Sequence, residues 1–250
     1  MGGRIISKTM VTFRNEWFNN RPKADQRGDN TFGNILFFIA STIGIAVKNG
    51  YSYGFPAWNN QDYFVNPLPP VIPGNYQNVE IPEGNFLGFN IPDNSSIWGY
   101  MQSEKYFEHC TDLIRHYFTL KDRGETPYKD CVLLHCRNYA PQYLAMGFNN
   151  MSQAYYMEAL KRLPDRKVIV ITDDLQKAKD TIKEDFEYVS NTPIEDFYLL
   201  TKAEYIIGSN STFSWWGAWL SKAKAVFPAD WFPGLPVQTD DVNCKYWITI

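Results

Sequence analysis

Two hydrophobic rhythms divide the chain. From about residue 131 onward, short runs rich in β-branched residues alternate with stretches whose apolar positions recur every three or four residues. Cys131-Val-Leu-Leu-His-Cys-Arg137, Lys167-Val-Ile-Val-Ile-Thr172, Glu204-Tyr-Ile-Ile-Gly208 and Lys224-Ala-Val-Phe227 read as strands. The second of these is continuously apolar, as a strand buried on both faces of a parallel sheet must be. Residues 150–163, 175–186, 195–202 and 212–220 read as helices, the first stopped by Pro164. Strands alternating with helices predict a parallel sheet of Rossmann type. In such sheets a ligand binds beyond the carboxyl ends of the strands.

The first half is less regular. Its first thirty residues are polar, with Arg21-Pro22-Lys23 and Arg27-Gly28-Asp29-Asn30 as loop chemistry. Phe32 to Val47 is apolar on most faces and predicts a helix packed inside a lobe, with Thr31 or Asn30 as cap and Asn49-Gly50 as stop. That run is short of the ~20 residues a bilayer requires and carries Asn34, Ser41 and Thr42, so no transmembrane segment is expected. Residues 59–93, rich in Pro, Asn and Gly, read as a loop-bearing region suited to substrate contact. Trp98 to Phe118 reads as a helix. Residues 121–129 hold Gly124, Pro127 and five charges and mark a boundary, giving an N-terminal lobe over 1–125 and a C-terminal lobe over 126–250.

Composition narrows the function classes. A net charge of −3 with no dense Lys/Arg block disfavours nucleic acid as a partner. Aromatic residues make up 16% of the chain, and such side chains fill cores more often than they stack on ligands. The cysteines, Cys110, Cys131, Cys136 and Cys244, form no CxxC pair, which leaves neither a zinc knuckle nor a redox motif and fits a reducing compartment. The opening Met1-Gly2-Gly3-Arg4 lacks the apolar core of a signal peptide, so a cytoplasmic or otherwise soluble intracellular location is expected. The sequons at Asn94, Asn150 and Asn210 then carry no weight.

Three polar clusters fall at predicted strand ends. In His135-Cys136-Arg137, side-chain alternation puts His135 and Arg137 on one face. Arg137 offers a planar fork of donors suited to a diphosphate, although a His and an Arg satisfied at a strand end would look the same. Thr172-Asp173-Asp174 follows the next strand, where a carboxylate either meets ribose hydroxyls and a guanine edge or caps the helix. Ser209, Ser211, Thr212 and Ser214 gather at a helix start, a ready anion site, with no Walker A lysine after them. Trp215, Trp216 and Trp219 sit at the spacing of one buried helical face and are read as core.

Ser209-Asn-Ser-Thr-Phe-Ser-Trp-Trp-Gly-Ala-Trp-Leu220 resembles the C-terminal signature of the α-1,2-fucosyltransferase family, glycosyltransferase family 11. Thr172-Asp173-Asp174 resembles the family's Ser-Asp-Asp segment. Gly99-Tyr-Met-Gln-Ser-Glu-Lys-Tyr-Phe107 resembles its Gly-Tyr-x-Gln-Ser-Glu-Lys-Tyr-Phe stretch. Phe32-Gly33-Asn34 is similar to its Leu-Gly-Asn-Gln-Met opening, with Ile35 in place of Gln.

The resemblance implies a GT-B-like fold of two Rossmann-like lobes facing a cleft, acceptor lobe first and donor lobe second. It implies transfer of fucose from GDP-fucose to a glycan hydroxyl, with inversion and with neither metal nor cofactor. Arg137 would then grip the diphosphate as the catalytic cation, and His135 with Asp174 or Asp173 would hold the guanosine. Ser211, Thr212 and Ser214 would line the phosphate and fucose pocket, and Gly33 and Asn34 would bring a backbone loop to the donor. One departure stands out: the family's His-x-Arg-Arg-x-Asp reads His135-Cys136-Arg137-Asn138-Tyr139-Ala140. Asp29, Asp62 and Glu104 are the carboxylates open to a general-base role. A binding protein without turnover and a transferase using another GDP-sugar are the alternatives.

Overall fold

The computed structural model describes residues 9–14, 23–26 and 31–250. Asp29, the cap candidate Asn30, the opening Met1 to Arg4 and most of the two early loop motifs lie outside those residues. Two parallel sheets organise the chain. The first holds β1 (Met10–Phe13), β2 (Ser52–Tyr53), β3 (Gln77–Glu80) and β4 (Ser95–Trp98) in the order β2-β1-β4-β3. The second holds β5 (Val132–Cys136), β6 (Val168–Thr172), β7 (Glu187–Val189), β8 (Tyr205–Ile207), β9 (Lys224–Phe227) and β10 (Ile248–Thr249), in the order β10-β9-β8-β5-β6-β7. Every strand pair in both is parallel.

Read from the β7 edge, the second sheet has the 3-2-1-4-5-6 order of dinucleotide-binding folds. Its strand order reverses between β5 and β8, and a crevice must open there because the loops leaving those two strands diverge. The α/β fold of two Rossmann-like lobes facing a cleft, GT-B-like, is therefore the observed one.

Helix α1 (Phe32–Asn49) is the spine of the first lobe. Of its 18 residues 14 are buried, and Gly50 ends it in the left-handed conformation at φ 71°. It is apolar and long enough to meet the usual criterion for a membrane span, and the packing inside the protein accounts for that character. Thr31 occupies its N-cap position without a side-chain cap bond.

Helix α7 (Thr212–Ser221) is the counterpart in the second lobe, and its tryptophans are core, as their spacing predicts. They do more than fill one lobe. The Phe37 ring of α1 lies 4.5 Å from Trp215 and 4.9 Å from Trp216, and Phe107 stacks on Trp216 at 5.5 Å. Arg115 of α2 (Thr111–Tyr117) donates to the carbonyls of Leu220 and Trp219 at 2.8 and 2.6 Å, closing the C-terminal end of α7 from the first lobe.

Several readings of the first half are corrected. β1 is a buried strand inside the stretch read as irregular. The loop-bearing region contains β3. The helix expected from Trp98 begins only in the 3₁₀ turns at 104–106 and 108–110, before α2. Trp98 instead ends β4, and Gly99 at φ 151° and Met101 at φ 46° hold the backbone out of the helical region. In the second half, α3 (Pro141–Ala145), α4 (Gln153–Leu160), α5 (Leu175–Ile182) and α6 (Pro193–Leu200) complete the fold. Helix α5 stops earlier than its apolar pattern, at Lys183 with φ 57°, which leaves room for β7.

Gly44 shows how closely α1 is packed: a Cβ built there would sit 2.0 Å from the carbonyl oxygen of Tyr106. Gly44→Ala should cost about 1–3 kcal/mol by overpacking, read as a lowered urea midpoint at unchanged slope. Unchanged stability would show that the 104–110 segment can slide off the helix.

Candidate active site

The three polar clusters meet at the β5/β8 reversal. Along β5, Val132, Leu134 and Cys136 belong to the apolar layer under α4 and α5, whereas Leu133 belongs to the main core on the other face. His135 therefore falls on the Leu133 face. It is 5% exposed, and burial pulls its pKa from 6.5 to about 4, so the imidazole is neutral at neutral pH. Nδ1 is 3.2 Å from the Ser209 hydroxyl. Nε2 has no partner among the described residues and is the nitrogen open to a ligand.

Asp173 and Asp174, at the end of β6, have divided roles. Asp174 is the N-cap of α5: it accepts from the Lys177 N–H at 3.1 Å and pairs with the Lys177 ammonium at 3.2 Å. Those bonds hold its carboxyl below the usual carboxylate range. The helix-cap reading is thus realised, while the residue still faces the cavity. Asp173 accepts from the Arg137 guanidinium and, at 3.2 Å, from the Asn138 N–H. Arg137 and Asp173 are each about one-third exposed, at 31% and 36%. An ion pair this open to water is worth only about 0–1 kcal/mol, so a diphosphate can compete for the guanidinium.

The loop after β8 supplies the third cluster. Ser211 is the N-cap of α7 and accepts from the Phe213 N–H at 3.3 Å. The Thr212 hydroxyl donates across the lobes to Oδ1 of Asn34 at 2.8 Å, and the Gln102 side-chain amide donates to the same oxygen at 3.1 Å. Gly33 lies so close that a Cβ would be 2.6 Å from the Thr212 backbone carbon and from its hydroxyl. Ser214 is fully buried and its hydroxyl donates to the Ser211 carbonyl at 3.2 Å.

A cavity of about 1030 Å³ brings these groups together, walled by Gly33, Asn34, His135, Arg137, Asp173, Asp174, Ser211 and Thr212. Ser214 is not part of that wall. Nor are Asp62 and Glu104: Asp62 lies 3.9 Å from Lys23, and Glu104 accepts from Trp219 and Tyr246 at 3.1 and 3.2 Å. Sequence reasoning missed Glu83, Gln102, Lys177, Asp196 and the aromatic residues Tyr139, Tyr143, Phe148 and Phe232, which also line it. Gln102 lay inside a quoted motif, and Tyr139 stood two residues from Arg137. Lys177 and Asp196 lay in stretches read as helices, where nothing local marks which polar position faces the cavity, and Glu83, Phe148 and Phe232 come from loops with no periodic signal. No cluster of three metal-ligating side chains occurs among the described residues.

Residues 58–248 match the model of glycosyl transferase family 11. The chain belongs to this family. An α-1,2-colitosyltransferase of Escherichia coli is 26% identical over 177 residues, spanning 61% of each chain. The O-antigen biosynthesis glycosyltransferase WbnK of Escherichia coli is 36% identical over 93 residues, spanning 32% of this chain and 31% of its own. The chain thus spans less than two thirds of the length of either relative. Among solved structures, the NodZ α-1,6-fucosyltransferase co-crystallized with GDP is similar at a TM-score of 0.47 and 16% identity, over 84% of this chain and 91% of the other. The fucosyltransferase NodZ from Bradyrhizobium gives 0.47 and 14%, over 86% and 91%. These likenesses are looser than the sheet order itself and add nothing to it.

For a family 11 chain, the departure at 138–140 has a visible structural consequence. Asn138 is buried, and its amide donates to the Thr172 hydroxyl at 3.1 Å, which turns it toward the end of β6. Ala140 becomes the N-cap of α3 and has no side-chain cap bond to give.

The depressed His135 pKa makes stability depend on pH. Between about 6.5 and about 4 the unfolded chain binds a proton that the folded chain refuses, so stability is complete above 6.5 and falls as pH drops. The loss contributed by this residue should reach about 2 kcal/mol by about pH 5. Urea unfolding at about pH 7.5 and about pH 5 should show a drop that is smaller in His135→Gln by that amount. An equal drop in both proteins would mean that His135 is not held neutral.

Proposed function

We propose that this chain transfers fucose from GDP-fucose to a hydroxyl of a glycan acceptor, O2 of a galactoside, with inversion at the anomeric carbon and without a metal or cofactor. The observation that carries this reading is the convergence of Arg137, His135 and the N-terminal turn of α7 on one cavity at the β5/β8 reversal, closed by Gly33 and Asn34 of the other lobe. A cavity of about 1030 Å³ lies at the top of the range of about 300–1,000 Å³ usual for ligand sites, which suits two substrates at once.

In the proposed reaction an acceptor oxygen forms a bond to C1 of fucose as the bond from C1 to the GDP oxygen breaks. Negative charge grows on the diphosphate as the sugar becomes cationic. Arg137 and the N–H groups opening α7 face that growing charge, where fixed donors act most strongly. His135, kept neutral, offers Nε2 to the nucleotide without placing a second cation there. The acceptor proton needs a base on the first lobe's side, and Glu83 is the only carboxylate that lobe contributes to the cavity among the described residues.

Two other readings have specific support. Asn138 and Ala140 depart from the family pattern, which favours a GDP-sugar binding protein without turnover. The relative named a colitosyltransferase favours a donor whose sugar is colitose, which is fucose without its 3-hydroxyl.

Arg137→Ala should lower transfer by about 10²–10³ with an unchanged melting temperature, and Glu83→Gln should lower kcat with GDP affinity retained. Calorimetry with GDP beside a transfer assay with GDP-fucose, GDP-mannose and a GDP-3-deoxy sugar decides among the readings. Near-native activity in Arg137→Ala ends the diphosphate role. GDP binding without turnover of any donor supports the binding protein.

A further inference from the structure

The cavity has two chemically different halves. Four of its charged groups, Arg137, Asp173, Asp174 and Lys177, stand at or just past the ends of β5 and β6, while Glu83 and Asp196 lie elsewhere in the wall. The segment after β5 and the loop after β9 together add an aromatic stretch to the wall. Tyr139 and Phe148 have ring centres 5.1 Å apart, Tyr143 and Phe148 5.7 Å, and Phe148 and Phe232 4.9 Å. All four rings line the cavity and none is fully buried.

This wall is built, not a loose loop cluster. The Tyr139 hydroxyl donates to the Asn210 carbonyl at 2.7 Å. The Asn210 amide donates to the carbonyls of Asn149 and Trp231 at 2.8 and 2.9 Å, tying the α3 loop and the loop after β9 to the α7 entrance. Those two loops also touch backbone to backbone: a Cβ on Gly147 would lie 2.6 Å from the Gly234 carbonyl oxygen, and one on Gly234 would lie 2.6 Å from that of Gly147. Gly147 moreover takes φ 104°, which a residue with a side chain rarely adopts. A fold that fixes half-exposed aromatic rings this firmly keeps apolar surface in water, which a bound apolar face would relieve.

We propose that Tyr143, Phe148 and Phe232 form the acceptor subsite and stack on the C–H face of a pyranoside. This rests on the donor reading above for the placement of the second substrate. A nucleoside on the charged half and a diphosphate at the α7 N-terminus leave the aromatic half for the sugar that attacks. A β-galactoside fits such a wall, because its axial O4 leaves the hydrogens on C3, C4 and C5 together on one face. Rings and sugar C–H groups attract without donors or acceptors, so the acceptor hydroxyls stay free to react.

Saturation-transfer NMR with methyl β-galactoside, beside calorimetry with GDP, tests this on the whole chain. The native protein should saturate H3, H4 and H5 most strongly. Phe148→Ala and Phe232→Ala should each weaken galactoside binding about tenfold, Phe148→Tyr should preserve it, and GDP affinity should stay within about twofold throughout. Melting temperatures identify any variant that has lost its fold, and the second alanine variant then carries the test. Absent saturation in the native protein, an identical pattern in native and alanine variants, or an about tenfold loss of GDP affinity in the alanine variants overturns the proposal. Native protein that binds galactoside but no GDP would leave the wall standing and sink the donor reading instead.

Discussion

The contact between the first turns of α1 and α7 governs the rest of the structure. Two helix N-termini, each carrying roughly half a positive charge, are pressed together at Gly33 and Thr212 with no space for a methyl group between them. Like ends of two dipoles repel, so the arrangement must be held from elsewhere. Behind it, Phe37 and Phe107 pack on the tryptophans of α7, and aromatic burial of this extent outweighs the repulsion. Arg115 meanwhile closes the far end of α7 from the first lobe. The lobes are thereby fastened at both ends of one helix, and the cavity is what remains open beside the nearer fastening. Thr31 adds to the cost: it enters α1 at φ 48°, a conformation uncommon for a β-branched residue, at the cavity wall.

Proton bookkeeping at that fastening separates hydroxyls that can serve a ligand from those already engaged. Thr212 gives its proton to Asn34, and Ser214 gives its own to the Ser211 carbonyl. Ser211 only accepts, from the Phe213 N–H, so its proton remains available to an anion. Asn34 receives two donors on Oδ1, which fixes the amide with its N–H₂ group as the free end. The serine- and threonine-rich sequence suggests a ring of equivalent hydroxyls. The structure distinguishes them, and Gln102, from a different loop of the first lobe, shares the work of orienting Asn34.

The second lobe was far more legible in sequence than the first, for a physical reason. β5, β6, β8 and β9 are buried on both faces, so their sequences are nearly continuous in apolar residues and cannot be confused with anything exposed. β1 is equally buried but only four residues long, between polar stretches, and so gives no pattern that a window can register. β3 is mostly exposed at the sheet edge and reads as loop. The site divides the same way. His135, Arg137, Asp173 and Ser211 follow recognisable strands, and chain order alone places them at the crevice. Phe148 and Phe232 become neighbours only because Gly147 meets Gly234, a contact between residues far apart in sequence that no local rule anticipates.

The same reasoning bears on the missing second arginine of the family pattern. Its place is taken by Asn138, whose backbone N–H holds Asp173 and whose amide holds Thr172, so the segment after β5 is stitched to the end of β6. Asp173 in turn pairs with the guanidinium of Arg137. The segment carries a neutral, hydrogen-bonded side chain where the family pattern has a second cation. On the proposed reading, the charge withheld from the diphosphate must come from elsewhere in the wall. The first turns of α1 and α7 both line the cavity, and two helix N-termini at about half a charge each amount to about one positive charge. Those partial charges belong to backbone that stays in place as the leaving group departs.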